Sequence, residues 1–389
     1  MKKTLIAAGV AAALCGASQA ADIQLYGLIN TGLSYVHTDA DVQGVKNQNK
    51  FSMETSKEFG SRWGIRGTED LGNGYSIGFV LESGFESDTG SLDTKVGSSR
   101  IFGRESRIDL KGDFGKLSVG VLPLFGSVLG ADGLFRAIDP IFANYTVGFG
   151  SGHVTASNWT RVDNAVSYVS PTFAGLTFYG MYSLKNKSNG DNTPGQEGNA
   201  ESDRYASLAM RYQNAGLEAI LVADTTMYGS LDSKALAKAG ETDYDGSDGY
   251  TVTLGGNYTF DNGLKVISFV QWFDNQFLYH KARAGVTLDG VEKIAGKYGL
   301  VDGWGASLGV NMPLAGGTVK GQIGYRDMDN QDDASFKRML VAAAYDYPFS
   351  KRTSAYVMAG YGKEKVENKA GTEASPSGYE VTFGLLHRF

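Results

Sequence analysis

Few residues of this 389-residue chain have the types and spacing that catalysis requires. Residues 74–78 read Gly-Tyr-Ser-Ile-Gly, the spacing of a serine nucleophile elbow, which needs a strand before the serine and a helix after it. Here the run follows a turn and leads into a strand pattern, so we favour a structural role. The four histidines have no metal-ligand spacing; they are His37, His153, His280 and His387.

Acidic and basic residues suggest other chemistry. Asp243, Asp245 and Asp248 surround Gly246 like part of a calcium loop, but they lack the twelve-residue pattern with its final Glu. We interpret them as a solvated acidic loop, with cation bridging as the alternative. A second group of charged residues could bind or steer ions if β-strands place their side chains on the same polar face of a sheet. These residues are Arg62, Arg66, Glu82, Arg104 and Arg107.

The composition indicates a folded β protein. Glycine contributes 53 residues, about twice the average usage, and Tyr and Phe together 41, too many aromatic residues for a disordered chain. Charged residues of both signs are interleaved and the net charge is −6, which argues against a nucleic-acid partner. Outside the N-terminus, the longest apolar stretch runs over 119–131 and is too short for a membrane-spanning helix.

Residues 1–20 have the pattern of a secretory signal peptide. Lys2 and Lys3 precede an apolar run, and Ser18 and Ala20 provide small residues before a cleavage site. The only cysteine, Cys15, lies in this segment. We therefore expect residues 21–389 to form one exported domain without disulfides.

Strict alternation of apolar and polar residues recurs along this domain and predicts β-strands. The clearest examples run over 250–260, 304–312, 319–325 and 379–389. Compact turn signals occur at 70–74, 112–115, 170–175, 214–216, 261–263, 313–317 and 347–351. Longer polar stretches separate them, roughly at 37–60, 87–99, 123–162, 186–202, 227–248, 275–301, 328–334 and 364–377. Because seven turns and eight loops alternate, they join sixteen antiparallel strands, with both termini at the tight-turn end.

Alternation alone does not decide whether the apolar row faces a core or a membrane. A closed sheet of about sixteen strands encloses too wide a space for side chains to fill, and strands of about ten residues can cross a bilayer. Aromatic residues cluster at both strand ends, as in the two interfacial girdles of a membrane barrel. We therefore predict an all-β transmembrane antiparallel β-barrel of sixteen strands with a polar lumen.

A series of short motifs runs along the exported part of the chain, at 23–27 (IQLYG), 61–74 (SRWGIRGTEDLGNG), 81–85 (LESGF), 112–115 (GDFG), 163–168 (DNAVSY), 173–175 (FAG), 350–353 (SKRT) and 384–389 (GLLHRF). With these motifs in this order, the chain resembles the general diffusion porins of betaproteobacteria and Neisseria along its whole exported length. It implies a homotrimer in the Gram-negative outer membrane and a third loop folded into the lumen. It also implies that Phe389 is the signal for the barrel-assembly machinery, and lipopolysaccharide is an expected surface contact.

The third long loop, 123–162, is expected to form the constriction. Leu134, Phe135, Ile138 and Phe142 have helical spacing behind a cap at Asp132, which predicts a short helix packed on the wall. Asp132 or Asp139 would then face the lumen, although an ordinary exposed loop is the alternative. The resemblance places Arg62, Glu82 and Arg104 at the constriction, with Arg161 a weaker match, and Arg107 lies on the same wall.

These features predict a passive channel for ions and small hydrophilic solutes, with no cofactor and no catalysis. Three arginines against two or three carboxylates predict a weak preference for anions. Family members often have a basic residue near 119–122 and an arginine where Ser167 stands, and both positive charges are missing here. A substrate-specific outer-membrane channel is the second hypothesis, and a barrel enzyme is the third.

Overall fold

A computed structural model describes residues 22–92, 100–141, 150–156, 161–186, 196–229, 247–277, 291, 294 and 299–389. Residues 1–20, the predicted signal peptide, lie outside this set, as do Phe142, Asp243, Asp245 and His280. Among the described residues, no helix has the length and apolarity that a bilayer span requires.

The described residues form eighteen strand segments in one sheet. Their bounds in the first half of the chain are β1 Asp22–Asp39, β2 Gln48–Thr55, β3 Arg62–Gly72, β4 Tyr75–Gly84, β5 Glu105–Gly112, β6 Gly115–Pro123, β7 Arg161–Val169, β8 Leu176–Ser183 and β9 Arg204–Asn214. The remaining bounds are β10 Leu217–Met227, β11 Gly249–Thr259, β12 Lys265–Phe277, β13 Leu300–Leu314, β14 Gly317–Asn330, β15 Ser335–Pro348, β16 Thr353–Glu367, β17 Glu373–Ala374 and β18 Ser377–Arg388.

The segments occupy sixteen positions around a closed antiparallel barrel, as predicted. β2 and β3 share one position, because β2 pairs with the second half of β1 and β3 with its first half. β17 is a two-residue extension on β16. The other edge of β1 pairs with β18 from Leu28↔Arg388 to Asp39↔Ser377, which closes the barrel.

All seven predicted tight turns join consecutive strands at one end. Two predicted loops are shorter than expected. The stretch 37–60 contains β2, and the stretch 328–334 shrinks to the residues between Asn330 and Ser335. In both stretches, polar residues extend the strands into the predicted loop, because the strands still pair there, β2 with β1 and β14 with β13.

The apolar row faces outward and the polar row inward. On β11, Tyr250, Val252 and Leu254 are exposed, whereas Thr251 and Thr253 between them are buried. A soluble barrel would reverse this pattern, because it would bury its apolar row. Bands of exposed apolar side chains with buried polar neighbours are typical of a barrel that lipid surrounds.

Candidate functional site

Glu82 is the centre of a charged cluster on the inner wall. Its carboxylate accepts hydrogen bonds from Arg104 Nε at 2.7 Å and from the Tyr26 hydroxyl at 3.0 Å, and Arg62 Nε lies 3.6 Å away. β1, β3, β4 and the residue before β5 supply these groups, so neighbouring strands converge on one carboxylate. Arg161, where the third loop returns to the wall, lies within electrostatic range of Glu82.

Local sequence makes room for this cluster. A Cβ on Gly64 would lie 2.8 Å from the Tyr26 ring, so only glycine lets that ring reach across to Glu82. Tyr26, Gly64 and Glu82 all lie on the inward row of their strands, because the registers pair Tyr26 with Gly64 and Gly64 with Glu82.

A second charged cluster follows along β5. Glu105, Arg107 and Asp109 alternate on the inward row, with Arg107 Nε 3.3 Å from Glu105 Oε2 and 3.6 Å from Asp109 Oδ1. Asp132 of the third loop lies 3.6 Å from Arg107 Nη1 and also pairs with Lys116 of β6. Glu105 is the β-sheet partner of Glu82, so the two clusters are adjacent.

The third loop contacts the inner wall over a wide arc. The Phe125 ring lies 5.3 Å from that of Tyr179 on β8, and the Phe135 ring 4.9 Å from that of Phe269 on β12. Further on, the loop reaches β14, where Arg326 Nη1 donates to the carbonyl of His153 at 3.1 Å. It then contacts β12 again, where the Ala156 amide donates to Gln271 Oε1 at 2.8 Å.

The predicted helix in this loop is shorter than expected. A single turn of 3-10 helix spans Leu134–Ala137, and Gly133 rather than Asp132 is its N-cap. Asp132 instead forms ion pairs with Lys116 and Arg107 of the wall. Burial lowers the pKa of Arg136 in this turn, while the carboxylates of Glu105 and Glu82 act in the opposite direction.

The structure thus brings Arg62, Glu82 and Arg104 together and places Asp132 beside Arg107. Asp139 lies apart from both clusters, where it is buried and accepts a hydrogen bond from Ser151 Oγ at 2.7 Å. Sequence reasoning missed Tyr26, Glu105, Asp109, Lys116 and Arg136. The inward row of β1 and β5 could have indicated the first three. Among the described residues, no group of three or more His, Cys, Asp or Glu side chains could hold a metal ion.

Comparison with known proteins agrees with this architecture. The sequence profile of the Gram-negative porins matches residues 7–367. An outer membrane porin protein of Bordetella pertussis is 32% identical over the full length of both chains. The chain belongs to the Gram-negative porin family. Its barrel is therefore that of a porin in the Gram-negative outer membrane, as the sequence resemblance implied.

Other relatives support the same assignment. The major outer membrane protein P.IB of Neisseria meningitidis is 31% identical over the full length of both chains. Among solved structures, an anion-selective porin from Comamonas acidovorans is 25% identical, with a TM-score of 0.61 over 95% of this chain and 100% of that one.

Proposed function

We propose that this porin is a general diffusion channel, through which ions and small hydrophilic solutes pass without catalysis or a cofactor. The observation that carries the proposal is that the two charged clusters around Glu82 and Arg107 lie side by side on the inner wall, where the third loop also contacts the barrel. We call these clusters, with the neighbouring Arg136 and Arg161, the charged belt. Arg62, Lys116 and Asp132 of this belt are partly exposed on the inner wall. Their charges require water on that side, because an unsolvated charge in a low-dielectric interior is very costly. The charged belt therefore lines an aqueous passage.

The charged belt also supports a weak anion preference. It contains six cationic side chains and four carboxylates, which are Arg62, Arg104, Arg107, Lys116, Arg136 and Arg161 against Glu82, Glu105, Asp109 and Asp132. In a passage narrower than the ~8 Å Debye length at physiological salt, mobile ions screen such charges poorly. The solved relative from Comamonas acidovorans is described as anion-selective, which agrees with this sign.

The proposal includes the surroundings of the barrel. We infer a homotrimer in contact with outer-membrane lipid and lipopolysaccharide, inserted by the barrel-assembly machinery through Phe389. The glycines on the first and last strands, Gly27 of β1 and Gly384 of β18, leave no open space for a second copy. A Cβ on Gly27 would lie 2.4 Å from the Phe389 ring, and one on Gly384 would lie 2.4 Å from the Tyr356 hydroxyl.

Planar-bilayer recordings test the proposal. We expect a large ohmic conductance that sugars and phosphate do not block, with a reversal potential under a KCl gradient that favours chloride weakly. Saturable block by one solute class would indicate the substrate-specific channel instead. A strong cation preference would refute the proposed selectivity, and hydrolysis of lipid or peptide substrates without conductance would indicate the barrel enzyme.

A further inference from the structure

The barrel wall is interrupted between β2 and β3. The register pairs Thr55 with Thr31 and Arg62 with Leu28, so residues 56–61 stand opposite only Ile29 and Asn30 of β1. Six residues thus stand opposite two, a surplus of four. Because four is an even number, the side chains of β2 and β3 keep the same alternation between the inner and outer faces of the wall. The extra residues leave the plane of the sheet.

These residues project to the inner side, where three side chains contact different parts of the wall. Lys57 Nζ lies 2.8 Å from Glu380 Oε1 on β18, and Glu58 Oε1 lies 3.9 Å from Lys320 Nζ on β14. The guanidinium of Arg388 on β18 lies 5.3 Å from the centre of the Phe59 ring. Lys57 and Glu58 are both buried. Residues 56–61, which we call the inward bulge, therefore cover the wall from β14 to β18.

Asn30 holds the inward bulge in place. Its Oδ1 accepts hydrogen bonds from the amides of Glu58 at 3.1 Å and Phe59 at 3.4 Å, while its Nδ2 donates to the Tyr356 hydroxyl at 3.1 Å. Its backbone carbonyl accepts from the Ser56 amide at 2.9 Å. Asn30 is fully buried, so removing its side chain would leave the amides of Glu58 and Phe59 without this acceptor.

The inward bulge also contacts the charged cluster. Arg62 Nη1 donates to the Gly60 carbonyl at 3.1 Å, and a Cβ on Gly60 would lie 2.8 Å from Arg104 Nη1. The third loop covers the complementary arc, from Tyr179 on β8 to Arg326 on β14. The two segments therefore cover adjoining arcs of the inner wall, which meet at β14.

We propose that the inward bulge is a second constriction element, which narrows the passage beside the third loop and sets the size limit for solutes. The inference rests on the proposed channel function. It assigns the size limit to the residues between β2 and β3 as well as to the third loop. The carbonyl of Gly60 in the inward bulge accepts a hydrogen bond from Arg62, and the absence of a side chain at Gly60 leaves room for the guanidinium group of Arg104.

Deleting residues 57–60 tests the proposal directly. Ser56 and Ser61 would then stand opposite Asn30 and Ile29, and β2 and β3 would join into one strand with the alternation preserved. We expect higher single-channel conductance and, in liposome swelling, entry of larger neutral sugars than the wild type admits. Unchanged conductance and an unchanged sugar limit in a folded variant would overturn the inference. Absence of an open channel in the wild type would instead refute the channel function itself.

A cysteine variant decides the matter if the deletion prevents folding. Phe59 is half-buried, and the only native cysteine, Cys15, lies in the segment predicted to be removed. In Phe59→Cys, a bulky charged methanethiosulfonate reagent should reduce the current through open channels. The matched control is Lys265→Cys at the start of β12, where the same reagent should change the current much less. Equal effects at both positions, or none at Phe59→Cys, would overturn the inference.

Discussion

Glu82 lies between Arg62 of β3 and Arg104, the residue before β5, and the three side chains act as one electrostatic group at the residue scale. A carboxylate with 2.7 Å and 3.6 Å contacts to Arg104 and Arg62 neutralises part of their charge while it orients their guanidinium groups. Removing one member of such a group therefore changes both the local charge and the positions of the others. The effect on passing ions is local, because distant charges are screened within about a Debye length.

Arg62→Ala and Arg104→Ala should each shift the reversal potential toward cations. Each removes one positive charge from the narrow part of the passage, where a low-dielectric wall strengthens its field. The measurement is the zero-current potential of single channels in a KCl gradient. Lys265→Ala, at the tight-turn end of β12, is the matched control and should have a much smaller effect.

Removing a negative charge from the same cluster should shift the reversal potential in the opposite direction. Glu82→Gln retains the shape of the side chain and removes its negative charge, so it should shift the reversal potential toward anions. If the two arginine variants and Lys265→Ala behave alike, the constriction does not lie at these residues. The assignment to the porin family would be unaffected.

At the element scale, the third loop depends on apolar contacts inside an otherwise polar barrel. Phe135 is fully buried against Phe269, and Ile220 and Ile267 are buried in the same cluster. β12 under the loop accordingly has apolar residues on both faces, with Ile267 and Phe269 inward and Val270 and Trp272 outward. A strand with apolar residues on both faces is typical of one covered on both sides.

Phe135→Ala should loosen the third loop without opening the barrel. Truncating a buried phenylalanine costs about 3–5 kcal/mol of packing free energy, and here that loss falls on the loop because the wall hydrogen bonds are unchanged. We expect more frequent current fluctuations at constant voltage. Phe178→Ala, which removes an exposed aromatic ring from β8, should not increase them. Equal noise in both variants would show that Phe135 does not restrain the loop.

The last residue completes the seam between the two ends of the chain. Phe389 and Gly27 exchange two backbone hydrogen bonds of 3.1 Å, and the Phe389 ring covers Gly27 on the outer surface. Deleting Phe389 removes these bonds and the predicted assembly signal together. We expect less protein in the outer membrane and accumulation in the periplasm, measured by fractionation and immunoblotting. A yield equal to that of the wild type would contradict this prediction.

At the scale of the whole molecule, closure is the source of stability. Every wall strand has partners on both sides, so the backbone groups within the membrane are satisfied without disulfides. Closure also leaves none of the described wall strands with a free edge for another chain to pair with, so these strands can associate with a second copy only through their outward side chains. The exposed apolar residues at the β1–β18 seam include Leu25, Ile29, Phe383 and Leu385.

The proposed trimer predicts a band of about three times the chain's 41.6 kDa mass in unheated detergent samples. Boiling should convert it to the monomer, because only heat breaks the hydrogen-bonded barrels and their apolar contacts together. The check is gel electrophoresis with and without heating, supported by cross-linking in membranes. A folded monomer as the only unheated species in mild detergent would refute the trimer.

The local pattern of the sequence was sufficient to predict the number of strands, which side chains face inward or outward, and the positions of the seven tight turns. The period of two and the turn residues are properties of short segments, so neighbouring residues specify them. The inward positions of Arg62, Glu82 and Arg107 follow from the same period. The strand pattern also placed Arg104 at the loop end of β5, and the family resemblance assigned Arg62, Glu82 and Arg104 to the constriction.

Only the tertiary structure decided which charges meet. Asp132 pairs with Arg107 and Lys116, and Asp139 is buried against Ser151, although both aspartates lie in the same loop. The inward bulge could not be predicted from the sequence for a similar reason. Residues 56–61 resemble part of a polar loop, and only their register with β1 shows that they exceed the opposing residues by four. Such contacts join residues far apart in the chain, and their geometry depends on how the whole barrel closes rather than on any local preference.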